Sequence, residues 1–238
     1  MTANNASQPS QERSSRAATS WEDRLAARLR GFGPLGLLAI FFILFAHLYS
    51  APLAALMVLV WTRLSTTSWS AIGYVQPSSW TRTVVLGVLF GIAFKFVMKA
   101  VVMPLLGADP VNHAFHYLAG NHAEIPWFLL TIAGAGWGEE TLFRGYAFER
   151  LGKLLGTGVV AKVVIVLTTS IWFGAAHYIT QGLTGSVHAA IVGSVFGIIF
   201  AGTGRLFMLM FAHAAFDLAA YALIYWNLET RVAHLIFR

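Results

Sequence analysis

The sequence predicts an all-α fold, a polytopic bundle of transmembrane helices with a polar catalytic cavity inside the membrane. Of its 238 residues, 57% are hydrophobic and 11% are charged, whereas a soluble domain usually has about 25% charged residues. The apolar residues come in runs long enough for membrane-spanning helices. Ionisable residues interrupt some of these runs, and their burial in hydrocarbon is costly enough to indicate function.

Composition excludes several kinds of site. Cysteine is absent, so no disulfide, thiolate metal site or cysteine nucleophile is possible. The net charge is +6, but an arginine cluster before the first apolar run is typical of the cytoplasmic flank of a membrane protein. No basic and aromatic surface module is visible. We therefore expect the lipid bilayer, and no nucleic acid, as a partner.

The chain divides into an arm and one membrane domain. Residues 1–30 are rich in small polar residues and arginine, which predicts a disordered basic cytoplasmic arm with a short interfacial helix near Trp21–Arg30. The arm has no apolar core typical of a cleaved signal peptide. Residues 31–238 form the predicted transmembrane domain.

The first apolar stretch, Pro34–Trp61, is too long for one untilted span and short for two. Because Pro52 lies near its middle and proline breaks helices, one interpretation is a hairpin that crosses twice. The other is a single long tilted helix. The later predicted spans are Thr83–Leu106, Pro126–Phe148, Val159–Tyr178, Ser186–Ala201 and Leu206–Trp226. With the hairpin, the total is about seven spans.

Loop charges predict the orientation. Residues 63–82 and the segment after the fourth span are basic, whereas residues 107–125 contain two acidic residues and no lysine or arginine. The positive-inside rule then places the N-terminus in the cytoplasm and the C-terminus outside. This orientation favours the hairpin, because one long helix would require translocation of five N-terminal arginines.

Glycines at four-residue spacing occur in three of the spans. Such small residues let helix backbones approach closely, which favours a compact bundle. The pairs are Gly87 and Gly91, Gly134 and Gly138, and Gly193 and Gly197.

Two adjacent glutamates lie within the fourth span. Neighbouring helical residues point about 100° apart, so Glu139 and Glu140 are expected to point in different directions. Glu140 and Arg144 have the i,i+4 spacing of an ion pair. One carboxylate would then be structural and the other, Glu139, free to act. A purely structural network of all three residues is the alternative.

Two later spans each contribute a histidine. His213 and Asp217 are also four residues apart, and a carboxylate can orient an imidazole. With a rise of about 1.5 Å per residue, His213, His177 and Glu139 all fall at mid-membrane depth. A carboxylate beside two imidazoles suits activation of water and proton transfer to a leaving amine.

Other polar residues have simpler interpretations. Lys95 and Lys99 share a helix face, which favours snorkelling or pairing with a carboxylate over substrate contact. The outer loop has three histidines with metal-like spacing but few carboxylates to accompany them, so a metal site there is disfavoured. These histidines are His113, His116 and His122, whereas His47 and His188 are interpreted as packed or interfacial.

Together these residues resemble the CPBP family, which includes the type II CAAX prenyl endopeptidases and the abortive-infection proteins. The family pattern is Glu-Glu-x-x-x-Arg, then Phe-x-x-x-His, then His-x-x-x-Asn/Asp, each on its own helix. Runs around Trp69–Trp80 and Gly197–Leu206 are also similar, so that the resemblance covers about residues 65–225. In this chain the three motifs are Glu139-Glu140…Arg144, Phe173…His177 and His213…Asp217.

The resemblance implies an intramembrane endopeptidase that hydrolyses a peptide bond of a membrane-associated protein or peptide, CAAX-like or other. Glu139 and His177 would activate the water, and His213 and Asp217 would stabilise the oxyanion. Many members have asparagine where Asp217 stands. An ionised carboxylate cannot donate a hydrogen bond, so Asp217 is expected to orient His213 instead. The residues implied to support the site are Glu140, Arg144 and Phe173.

A metal-free mechanism is favoured, in which the glutamate acts directly as base. The alternative is a zinc ion held by Glu139, His177 and His213, a ligand set found in catalytic zinc sites. Zinc ligands usually have an acceptor holding each imidazole, and His177 has no such partner nearby in the sequence. No cofactor is therefore expected.

Other functions fit the sequence less well. His-Glu-x-x-His and Gly-x-Ser-Gly motifs are absent, and Asp217 is the only intramembrane aspartate, which disfavours other intramembrane protease classes. A proton-coupled transporter predicts an inverted repeat, and none is visible. A non-catalytic scaffold or immunity factor of the same fold predicts loss of a motif residue, yet all are present.

Overall fold

A computed structural model describes residues 20–237, and the regular structure in this part of the chain is entirely helical. The first four helices are α1 (Trp21–Arg30), α2 (Pro34–His47), α3 (Ala51–Leu64) and α4 (Trp80–Leu105, with a π-helical turn at Met98–Val102). Helix α5 runs as Ile125–Glu139, a π-helical segment Glu140–Tyr146, and Ala147–Leu155. The remaining helices are α6 and α7 (residues 159–181 and 183–203 of Val159–Thr203), α8 (Phe207–Tyr225) and α9 (Glu229–Ala233). Short 3-10 turns lie at Trp69–Ile72, His116–Leu118 and His122–Glu124.

The helical fold agrees with the prediction, but the number of spans is not confirmed. Within residues 20–237, three helices are long and apolar enough to cross a membrane by length and composition. A fourth is added if α1 and α2, which meet at a 61° bend, count as one span. The three helices are Trp80–Leu105, Val159–Thr203 and Phe207–Tyr225.

The longest of these helices folds back on itself. Gly182 has φ 65° and ψ −167°, a conformation outside the helical region that glycine adopts without strain. After this break the two arms run antiparallel, because the Lys162 ammonium reaches the carbonyl of Ala201 at 3.0 Å, and Gly193 lies against Ser170. The two separate helices predicted for this part of the chain correspond to α6 and α7.

The first apolar stretch is also a helical hairpin, as favoured above. Helix α2 ends at His47, and α3 begins at Ala51 after Ser50, whose hydroxyl accepts from the Leu53 N–H at 3.2 Å. The other end of the hairpin is closed by the Trp61 indole, which donates to the Leu29 carbonyl at 3.1 Å. The interpretation as one long helix is therefore wrong.

The arms of this hairpin are too short for the two crossings that were predicted. Each has 14 residues and so spans about 21 Å, against about 30 Å of hydrocarbon. Its tip packs on the middle of α5, where a Cβ at Gly138 would lie 2.6 Å from the carbonyl carbon of Ala51, and one at Gly134 2.8 Å from Pro52. The geometry fits a re-entrant hairpin that turns beside Glu139.

The other two glycine pairs also mark close helix contacts. A Cβ at Gly91 would lie 2.1 Å from the Ala212 carbonyl oxygen, and one at Gly87 2.7 Å from that of Met208. At these contacts α4 packs closely along α8. Gly193 and Gly197 mark the same kind of contact between α7 and α6. The predicted role of small residues in close packing is confirmed.

The predicted disorder of residues 1–30 does not extend over Trp21–Arg30, which is the expected short helix. A capping box between Ser20 and Asp23 starts it. Its end is held by Arg150 of α5, whose guanidinium donates to the carbonyls of Arg30 and Gly31 at 2.8 and 3.0 Å. Residues 1–19 of the predicted arm lie outside the described residues.

Candidate active site

A cavity of about 410 Å³ contains all four predicted catalytic residues. Glu139 reaches it from α5, His177 from α6, and His213 and Asp217 from α8. The cavity extends to the loop at residues 108–115, at the end of the bundle opposite Arg150 and α1. Residues that are separated in the sequence thus line one cavity within the bundle.

The two glutamates reach the opposite nitrogens of one imidazole. His213 Nδ1 lies 2.7 Å from a carboxylate oxygen of Glu140, and His213 Nε2 lies 3.6 Å from one of Glu139. Glu140 is fully buried, whereas the side chain of Glu139 is 15% exposed and borders the cavity. The side chains point in different directions, as the helix offset predicted, but the histidine lies between them.

His213 is oriented by a hydrogen bond in which Glu140 is the acceptor. A carboxylate paired with arginine accepts, so Nδ1 carries the hydrogen and Nε2 faces the cavity. Asp217 lies 3.6 Å from Nε2, beyond hydrogen-bond range. The expectation that Asp217 orients the ring is wrong, because the register of α5 against α8 brings a carboxylate from 73 positions away closer than the one four positions along α8.

Arg144 holds Glu140 in place, as the i,i+4 spacing predicted. Its guanidinium donates to the same carboxylate oxygen of Glu140 at 2.8 Å and to the Gly193 carbonyl at 3.3 Å. The guanidinium also lies 4.7 Å from the ring centroid of Phe173, a cation–π distance. Glu140 and Arg144 are 0% and 1% exposed. Phe173 thus supports the pair through its ring, as well as His177 through its backbone.

His177 is oriented by its own helix. Its Nδ1 lies 2.8 Å from the carbonyl oxygen of Phe173. Because a carbonyl only accepts, Nδ1 carries the hydrogen and the Nε2 lone pair is left for the cavity. Among residues 20–237, no carboxylate oxygen lies within 4.0 Å of either nitrogen of His177. Glu139 and His177 therefore line the same cavity without a direct ion pair between them.

A catalytic zinc ion needs three protein ligands grouped around one point. The prediction that His177 has no acceptor nearby in the sequence, which disfavoured zinc, is wrong. The Phe173 carbonyl accepts a hydrogen bond from that ring. Within the described residues, however, no three side chains of histidine, aspartate or glutamate are grouped closely enough to hold a metal ion. The residues as placed do not fit a resident zinc ion.

The remaining polar residues fall outside this set. Lys99 forms an ion pair with Glu229 at 2.9 Å, as one of the two interpretations of the lysines predicted. In the outer loop, His113 lies 3.0 Å from Asp109, and the N–H of Val111 and the ring of His113 lower the pKa of that carboxyl. His122 bonds the Tyr225 hydroxyl at 2.7 Å.

Some features of the site had no signal in the sequence. The motif Glu140–Tyr146 is π-helical, a geometry that is rare and often found at functional sites. A second cavity of about 350 Å³ lies between the hairpin tip and α5, and Glu139 borders both cavities. Its other residues include Ser50, Ala51 and Pro52. This second cavity depends on the packing of the hairpin tip against α5, which the sequence does not show.

Comparison with known proteins gave one family. Residues 121–219 match the family model described as type II CAAX prenyl endopeptidase, Rce1-like. This segment contains all three motifs from Glu139 to Asp217, whereas the similar run at Trp69–Trp80 lies outside it. No curated protein and no solved structure matches the chain.

Proposed function

We propose that the chain is an intramembrane endopeptidase of the CPBP family, using a water activated by Glu139; the match of residues 121–219 to the type II CAAX prenyl endopeptidase model supports this proposal. The observation that carries the proposal is the placement of His213 between two carboxylates. Glu140 fixes one nitrogen of the ring, and the other faces Glu139 and the cavity. This arrangement separates a supporting carboxylate from a reactive one.

In the proposed reaction, Glu139 removes a proton from water while the water oxygen bonds to the scissile carbonyl carbon. The Nε2 lone pair of His177 accepts the second hydrogen of that water and orients it. The carbonyl electron pair moves onto oxygen, where it forms an oxyanion. When the C–N bond breaks, the proton held by Glu139 passes to the leaving amine, and the other product is a carboxylic acid.

His213 stabilises the oxyanion in this scheme. As an imidazolium it donates Nδ1–H to Glu140 and Nε2–H towards the cavity. The charges of Glu139 and Asp217, both 3.6 Å from Nε2, compensate the positive ring before substrate binds. Asp217 therefore acts on the charge of the ring and does not itself donate to the oxyanion.

Glu139 borders two cavities, and we assign them roles in the proposed reaction. The larger cavity extends to the loop of residues 108–115, which the loop charges predict to lie outside. The smaller one lies between the hairpin tip and α5. In our proposal, a membrane-associated peptide reaches Glu139 beside the tip, and the larger cavity holds the water and the part of the peptide beyond the scissile bond. The substrate class is a membrane-associated protein or peptide.

The test compares membrane fractions from cells with unmodified protein, Glu139→Gln and Glu22→Gln. Glu22 lies on the exposed face of α1, so its replacement is a matched control for the same chemical change. We expect new C-termini with unmodified protein and Glu22→Gln, and none with Glu139→Gln. A non-catalytic scaffold or a proton-coupled transporter predicts no Glu139-dependent cleavage, and identical peptide patterns would refute the proposal.

The metal-free scheme has its own test in purified protein. Turnover is expected to persist after prolonged chelation, with well under about one zinc per chain by elemental analysis. Activity that disappears on chelation and returns with stoichiometric zinc would contradict it. Glu139, His177 and His213 would then be assigned as ligands instead of as base and hydrogen-bonding groups.

A further inference from the structure

The cavity wall contains a lysine that the proposed hydrolysis does not use. Lys95 projects from α4 into the cavity that Glu139 and His213 line. Its ammonium lies 4.7 Å from the ring centroid of Phe216. Among residues 20–237, no carboxylate oxygen lies within 4.0 Å of this ammonium. A cation within the span thus lines a cavity without an ion-pair partner.

The neighbouring lysine, in contrast, has an anionic partner and a carbonyl acceptor within the protein. Lys99, one turn further along α4, pairs with Glu229 at 2.9 Å and also donates to the carbonyl of Pro110. A cation in an apolar span is costly unless an anion or several acceptors compensate it. For Lys99 the protein supplies that compensation. Around Lys95 the carboxylates of Asp217 and Glu229 act only at longer range, and a ligand entering the cavity can supply a direct partner.

The position of Lys95 relative to the catalytic groups limits where such an anion binds. Phe216 lies three residues after His213 on α8, which is about 4.5 Å along the helix axis. Its ring is flanked on one side by the Lys95 ammonium and on another by the ring of His188, at 5.6 Å. Because an extended peptide advances about 3.3–3.6 Å per residue, an anion bound there lies close to the scissile bond.

We propose that Lys95 binds a carboxylate of the substrate, located about one to three residues from the scissile bond on the side facing the cavity mouth. This proposal rests on the proposed endopeptidase and names its substrate class, a peptide that is anionic next to the cleavage position. The carboxylate is either the free C-terminus of the peptide or the side chain of an aspartate or glutamate. Lys95 is thus a specificity-determining residue.

The experiment uses three versions of one cleavable peptide: a free C-terminus, a C-terminal amide, and the amide with a glutamate next to the cleavage position. The variants are Lys95→Met, Lys95→Arg and the control Lys162→Met. The control removes a lysine at the opposite end of the bundle, where its ammonium bonds the Ala201 carbonyl. Thermal melting in the same detergent identifies any variant that is misfolded.

For unmodified protein and the control, we expect KM to be lower for an anionic peptide than for the neutral amide. Lys95→Met should raise KM for the anionic peptide about tenfold or more, with little change in kcat, because a charged hydrogen bond is lost. Its KM for the neutral amide should not change, and Lys95→Arg should recover most of the difference. Which anionic peptide responds identifies the source of the carboxylate.

Binding to the non-cleaving Glu139→Gln protein separates this proposal from the proposed activity. We expect the anionic peptide to bind Glu139→Gln about tenfold or more tightly than it binds the Lys95→Met/Glu139→Gln double variant. Equal dissociation constants, or equal KM values for all three peptides, would overturn the carboxylate site. Binding that depends on Lys95 without cleavage by any variant would refute the peptidase and leave the site standing.

Discussion

Replacement of Glu140 by glutamine separates its role from that of Glu139. One carboxylate oxygen of Glu140 accepts both from Arg144 at 2.8 Å and from His213 at 2.7 Å. Glutamine keeps the shape and one acceptor but removes the negative charge. Arg144, which is 1% exposed, would then be a buried cation without its counter-ion.

The size of the effect follows from that burial. Loss of one partner of a buried ion pair costs about 3–5 kcal/mol of the free energy of unfolding. At roughly 2–4 °C per kcal/mol for a domain of this size, the melting temperature of Glu140→Gln should fall by about 6–20 °C. Turnover should also fall, by about 10–100-fold, because the group that orients His213 is altered.

Glu139→Gln should behave differently. Among residues 20–237, no arginine lies within 4.0 Å of the Glu139 carboxylate, which borders the cavity, so the melting temperature of Glu139→Gln should stay near that of the unmodified protein. Its turnover should fall by at least about 100-fold, as expected for loss of a general base. The double variant Glu140→Gln/Arg144→Met removes the uncompensated charge and should recover much of the lost stability but little of the activity.

The assay is thermal melting of detergent-purified protein together with turnover of one peptide for all four proteins. Equal melting temperatures for Glu139→Gln and Glu140→Gln, with equal loss of turnover, would refute the division of roles. If the double variant does not regain stability, the uncompensated charge of Arg144 is not the cause of the loss.

Two further predictions concern orientation and the hairpin. In this cysteine-free chain, an impermeant thiol reagent should label Asn227→Cys in intact cells but Ser15→Cys only after permeabilisation, and early labelling of Ser15→Cys would contradict the cytoplasmic N-terminus. Gly138→Ala would place a Cβ 2.6 Å from Ala51, so it should lower stability by about 1–3 kcal/mol and reduce turnover by moving the hairpin tip beside Glu139. The control Gly152→Ala, with nothing within 4 Å, should leave both unchanged or raise stability slightly. Equal behaviour of the two glycine variants would remove the argument for a close contact at the tip.

Local sequence signals predicted the helices well. Pro126 lies at the start of α5, and the break between two predicted spans falls at Gly182. The paired glycines lie where helices touch, because four-residue spacing places both on one face. These signals depend on residues close together in the chain, and the structure agrees with them within a few positions.

Contacts between distant segments could not be predicted in the same way. The ion pair of Lys99 with Glu229 joins residues 130 positions apart, and nothing near either residue indicates the other. The depth of the hairpin also depends on which part of α5 its tip touches. The i,i+4 spacing of His213 and Asp217 correctly predicted that they share a face of α8. This spacing could not show that the packing of α5 against α8 brings Glu140 closer to His213 than Asp217 is.

The two adjacent glutamates and His213 form one unit, and in the proposed mechanism each carboxylate has its own role. The two nitrogens of an imidazole lie on different edges of the ring, so one carboxylate cannot hold the ring at Nδ1 and also act at Nε2. Glu139 and Glu140 approach from different directions because they are neighbours on a helix, and the π-helical segment begins at the second of them. Arg144 fixes Glu140 by its charge, and in the proposed mechanism Glu139 is the carboxylate that exchanges a proton with water. A mechanism that uses both glutamates as bases would require Glu140 to leave Arg144 and His213 together, at the loss of two charge-assisted hydrogen bonds.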